Sequence, residues 1–110
     1  VKVWGNGVAI RDFTHSSDVA QALILILKHL EGPVNMGSGM RHPIRDIVEI
    51  LEKLTGVSVQ WDPTRPDGQL IRYYNISRLR SAGFVAGKSL STGVTETYEW
   101  YASNSEEARR

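Results

Sequence analysis

Trp4-Gly5-Asn6-Gly7-Val8-Ala9-Ile10-Arg11-Asp12-Phe13-Thr14-His15 sets two glycines beside an aromatic ring, then an Arg-Asp pair and a histidine, just ahead of a strongly apolar segment. Glycine lets backbone approach a ligand closely. An arginine at the end of such a loop offers a planar fork of donors suited to phosphate. The stretch reads as one wall of a site for a phosphate-bearing ligand. No nucleophile, general base or cofactor cradle accompanies it. Val1 to Trp4 reads as a short strand entering the loop, and Arg11 to Thr14 as a second extended piece.

Downstream, Ser16 or Ser17 is the expected N-cap of a helix with Asp18 in its first turn. The helix runs to about Leu30, with Lys28 and His29 at its negative end and Gly32-Pro33 to stop it. It is apolar nearly all round, with Val19, Ala20 and the run Ala22 to Leu27. A surface helix of a small domain carries one apolar stripe, so this one needs cover on more than one side. Val34 to Met36 reads as a strand ending at Gly37-Ser38-Gly39. Pro43 opens a second helix whose one-sided face is Ile44, Ile47, Val48, Ile50, Leu51 and Leu54, with Gly56 as its stop. Val57 to Trp61 alternates like a half-buried strand, and Asp62 to Gly68 is a loop. Leu70 to Tyr74 is extended, a short helix from about Ile76 to Ala82 ends at Gly83, and a last helix begins near Ser89. The expected fold is α/β, with three to four helices and short strands. It forms one unit over 1–102 followed by a polar, frayed tail over 103–110.

The 110 residues suit a single domain. Thirteen Lys and Arg stand against 12 Asp and Glu, a net charge of +1, which gives no support to nucleic-acid or anionic-membrane binding. The absence of Cys excludes disulfides, thiolate catalysis and zinc–cysteine sites. It is compatible with the cytoplasm, the expected compartment. The start, Val1-Lys2-Val3-Trp4, has no signal-peptide core and no initiator Met, so the chain reads as cut from something longer, or processed. The run Ala22 to Leu27 is too short to span a bilayer.

Each candidate site residue has two readings. Arg11 contacts a phosphate, or pairs with an acid such as Asp12. Trp4 stacks on a base or sugar, or anchors a core. Asp67, in the rigid loop Arg65-Pro66-Asp67-Gly68, accepts from a ligand hydroxyl, or closes an Asx turn. Arg72 is a second phosphate arm, or a sheet-face charge. Gly37-Ser38-Gly39 lacks the third glycine of a dinucleotide fingerprint and reads as a backbone turn. His15, His29 and His42 show no metal-ligand spacing, and no catalytic constellation stands out.

Taken in order, WGNGVAIRDFTHSSDVAQALILIL, VNMGSG, PIRDIVEILEKLTG, RPDG, NISRLRSAGF and SLSTGVTETYEWY resemble the C-terminal part of the extended short-chain dehydrogenases/reductases. These are the NAD(P)-dependent nucleotide-sugar epimerases, dehydratases and reductases; the likeness is strongest to their GDP-L-fucose synthase branch. The resemblance runs to about Tyr101. It implies a substrate-binding part without the main Rossmann domain. Trp4, Arg11, Asp67 and Arg72 would line a pocket for a nucleotide-diphosphate sugar. The family's Gly-rich fingerprint and Tyr-x-x-x-Lys pair do not occur here. The resemblance therefore implies no catalytic residue and no cofactor on this chain, NAD(P) in the full-length enzyme, and the missing Rossmann domain as partner. Self-association or a partner-binding module is the alternative reading, through the Val19–Leu30 helix. Three departures mark the match: Ser16-Ser17 precede Asp18 where the family has an acidic pair, Asn75 stands for Asp, and Ala82-Gly83-Phe84 for Leu-Gly-Trp.

Overall fold

In the computed structural model, residues 1–109 are described. The chain enters as β1 (Lys2–Trp4), which pairs in parallel with β4 (Gln60–Asp62), Lys2 opposite Gln60. A separate three-stranded sheet has β2 (Ile10–Arg11) at its centre, antiparallel to β3 (His42–Pro43) and parallel to β5 (Ile71–Arg72). The helices are α1 (Ser16–His29), α2 (Ile44–Thr55), α3 (Ser77–Ser81), α4 (Leu90–Ser103) and α5 (Ser105–Ala108).

Where local chemistry was strong, sequence and structure agree. Gly56 closes α2 in the left-handed region at φ 70°, and Ser89 caps α4 by accepting from the Thr92 amide. Five expectations shift. The cap of α1 is His15, not Ser16 or Ser17: the His15 carbonyl accepts from Asp18 and Val19, and its Nδ1 from Ser17. The second extended piece is Ile10–Arg11 rather than Arg11 to Thr14, since the central strand pairs only there. Pro43 lies in β3 and precedes α2. The first amides of α2 are satisfied by loop carbonyls, Ile44 donating to Ala9 and Arg45 to Gly7. Val34 to Met36 is not a strand. Among the described residues its backbone finds no backbone partner, although Val34 and Met36 pack beside α1. The tail begins with the short turn of α5 rather than a fully frayed segment; residue 110 lies outside the described residues.

The core is thin. Ala22, Ile76, Leu79 and Phe84 form its centre, with Leu25, Ile26, Val34 and Met36 packed around them. The radius of gyration is 16.0 Å, against about 13 Å for a packed domain of this length. The elements are spread out, and apolar surface stays open. On α1, Leu23 and Ile24 are each 54% exposed and Leu27 86%, so the helix does lack the cover its composition calls for. Asp18 is the exception to that apolar character. It is 1% exposed and accepts from the amides of Gly87 and Lys88, 69 and 70 residues away, tying α1 to the lead-in of α4. Asp18→Ala is expected to cost about 2 kcal/mol, because two backbone donors lose a charged acceptor. Urea unfolding measures it, and a loss under a few tenths would show that the tie is dispensable.

Candidate functional site

Register does what spacing could not. Arg11 on β2 lies opposite His42 on β3 and opposite Arg72 on β5. Side chains directly opposite share a face, and neighbouring strands lie about 4.8 Å apart. Three basic residues, 30 to 61 positions apart in the chain, therefore form one row across the sheet. Like charges facing each other as Arg11 and Arg72 do oppose folding unless something offsets them. Among the described residues, no carboxylate lies within 4.0 Å of Arg11 or Arg72. Arg11 does not pair with Asp12; its Nη1 donates to its neighbour's carbonyl, Ile10 O, at 2.7 Å. Arg72 Nη2 donates to the Tyr74 hydroxyl at 3.2 Å.

Sequence reasoning did not single out His42 for this site, because only the ladder puts it beside Arg11. Its Nδ1 lies 3.1 Å from Asp46 Oδ2 in the first turn of α2, while Nε2 is buried without a partner. With Nδ1–H donating to the carboxylate, Nε2 is left to accept.

The glycine loop forms the next wall. Gly5 and Gly7 adopt φ of 80° and 75°, which disfavour any side chain. Both are also crowded: a Cβ on Gly5 would overlap the Asp67 carboxylate, and one on Gly7 would strike the Trp61 ring. Arg45 holds the turn from α2, donating to Asn6 O at 2.7 Å. Asp67 reaches across 61 residues to accept from the Asn6 amide at 2.9 Å. It closes no Asx turn on its own loop; it fastens the Arg65-Pro66-Asp67-Gly68 loop to the Gly5-Asn6-Gly7 loop. Gly68 thereby comes against Arg11, whose Nη2 would stand 3.9 Å from a Cβ there. Trp4 is 63% exposed, so it is no core anchor; the Arg65 guanidinium lies 5.3 Å from its ring centroid. Trp4, Arg11, Asp67 and Arg72 are thus linked through two touching loops and one strand pair.

Asp12 has a different task. It accepts from the Ser38 amide and hydroxyl, the Gly39 amide and the Thr14 hydroxyl, at 2.7–3.0 Å. Burial pushes its carboxyl pKa up, but these donors together outweigh that and hold it below the usual carboxylate value. The amides of Ser38 and Gly39 are consequently spent on a side chain. A Cβ on Gly37 would also meet the Asp12 carboxylate.

A cavity of about 580 Å³ lies elsewhere, between α2 and α4, and touches none of the four predicted residues. Ile47, Leu51, Leu90 and Val94 make its wall apolar, which suits another hydrophobic element better than a diphosphate. Among the described residues no cluster of three metal-ligating side chains occurs, and no helix is long and apolar enough to cross a membrane.

Residues 1–37 match the family described as NAD dependent epimerase/dehydratase. The chain is 37% identical over 108 residues to GDP-L-fucose synthase 1 of Arabidopsis thaliana, covering 94% of this chain and 33% of that protein. It is 30% identical over 122 residues to GDP-L-fucose synthase of Escherichia coli strain K12, covering 99% and 38%. Its fold matches MoeE5, solved in complex with UDP-glucuronic acid and NAD, with a TM-score of 0.77 at 27% identity, covering 94% of this chain and 37% of that one. The chain spans about a third of the length of the curated relatives it matches.

Proposed function

Since the chain is homologous to GDP-L-fucose synthases and to other NAD-dependent epimerases and reductases, and covers a portion of them, we propose that it is the nucleotide-sugar-binding part of such an enzyme. The observation that carries this reading is the register of Arg11 against Arg72, two arginines at facing positions of neighbouring strands with, among the described residues, no carboxylate within 4.0 Å of either. A diphosphate supplies that charge, and planar forks suit its oxygens. Trp4 would pack on the base or sugar. Asp67, already fixing the loop through one oxygen, would take a ligand hydroxyl with the other. Such contacts, remote from the reacting carbon, hold it in place for chemistry done elsewhere.

In this reading the residues named above serve the nucleotide sugar rather than the cofactor. NAD accompanies the nucleotide sugar in MoeE5, but the glycine turn present here is closed by Asp12. No step is therefore assigned to this chain beyond binding and orienting. The Rossmann part of the enzyme would cover the open side. The exposed face of α1 would offer it apolar surface, and the unpaired backbone of Val34 to Met36 free hydrogen-bonding groups.

Calorimetric titration of the chain with a GDP-sugar and a UDP-sugar tests the reading. Saturable binding of at least one, weakened by added pyrophosphate, is expected. No heat with either up to millimolar concentration would sink it.

The same α1 surface favours a second reading, in which copies of the chain self-associate. Leu27→Lys is then expected to convert the assembly to monomer in analytical ultracentrifugation at little cost in stability, because Leu27 is 86% exposed. A native chain already monomeric across the concentration range rules this out.

A further inference from the structure

A smaller cavity, about 330 Å³, opens where β3 and β5 run out, and its lining includes Arg41, Tyr73, Tyr74 and Arg80. Arg41 and Tyr73 lie just outside β3 and β5, each next to a member of the basic row and at the same end of the sheet. Their stacking fits that: the Arg41 guanidinium lies 3.5 Å from the Tyr73 ring centroid. The stack fixes the guanidinium plane and leaves its N–H edge free. Arg80 enters from α3 over Gly39, occupying the space a Cβ would fill. Tyr74 accepts from Arg72, so its own O–H remains to donate. The one acid in the lining, Asp12, is committed to Ser38, Gly39 and Thr14. Among the described residues neither Arg41 nor Arg80 has a carboxylate within 4.0 Å.

We propose that this cavity is a second oxyanion site, taking a phosphate group between Arg41 and Arg80, apart from the Arg11–Arg72 row. Two guanidinium edges and a phenol donor around a concave polar space match a tetrahedral dianion better than a planar monoanion, which one fork would satisfy. The site does not depend on the nucleotide-sugar reading, since none of the residues assigned to that ligand lines it. Tyr74 alone touches both, through its contact with Arg72.

Titrating the ¹⁵N-labelled chain with inorganic phosphate at constant ionic strength tests it. Saturating shifts are expected at the Gly39, Arg41 and Tyr73 amides, and they should persist in Arg11→Ala. Arg41→Ala and Arg80→Ala should each weaken them at least about tenfold, the worth of a lost charged hydrogen bond. Both arginines are exposed, so an otherwise unchanged spectrum checks that each variant is folded. Sodium acetate should leave these amides unmoved. An equal response to acetate would overturn the phosphate assignment. Shifts that vanish in Arg11→Ala, survive in both Arg41→Ala and Arg80→Ala, or never appear would overturn the site.

Discussion

The Arg11→Ala/Arg72→Ala double variant is expected to bind a nucleoside-diphosphate sugar about a thousandfold more weakly than the native chain. Charged hydrogen bonds are worth about 1.5–3 kcal/mol each, and two of about 2 kcal/mol give that factor. The single variants should not add independently, because both guanidinium groups address one diphosphate. Stability should hold or rise slightly, since the change removes two like charges from facing positions on β2 and β5. That separates a binding defect from a folding defect, and a thermal melt beside the titration reads both. Lysine at either position should restore charge but not the fork, recovering binding only in part. Unchanged affinity in a folded double variant would falsify the diphosphate role. A double variant that unfolds instead would mean that the row serves the sheet rather than a ligand.

Asp12→Ala is expected to produce the largest loss of stability, on the order of 3 kcal/mol, by stripping a charged acceptor from donors held in the Gly37–Gly39 turn. The effect should be pH-dependent. The folded carboxyl titrates below its ordinary value: burial alone would raise it, and the hydrogen bonds from Ser38, Gly39 and Thr14 outweigh burial. A depressed folded pKa contributes stability that is fully present above the unfolded value of about 3.9 and is lost as pH falls through the folded value. The native chain should therefore weaken in acid. Asp12→Asn, already weaker at neutral pH, should be flatter across the same window. Urea unfolding at pH 6 and pH 3 compares the two slopes. Parallel curves would mean that some other carboxylate carries the acid sensitivity.

Helices α2 and α4 were legible because their signals are local: a one-sided apolar face, a stop at Gly56 and a cap at Ser89. The site residues Arg11 and Arg72 could be named by type. Their adjacency could not, because β2, β3 and β5 are two residues each and carry no period to read. Asp12 looked like a partner for Arg11 because the two are neighbours in sequence. It serves Ser38 and Gly39 instead, 26 and 27 positions on, a choice made by tertiary geometry. Asp67 similarly looked like a turn-former, and its partner is 61 residues away. Val34 to Met36 has strand-forming residues, and what it lacks is a neighbour to pair with. Propensity without a partner does not make a sheet.

That last segment carries its own clock. With no acceptor in reach, the amides of Val34, Asn35 and Met36 should trade their protons for deuterium nearly as fast as those of a free peptide, while α1 beside them is slowed by its own turns. Slowing confined to these three amides, in any larger assembly that holds this chain, would report a strand forming along them, in solution and without a crystal.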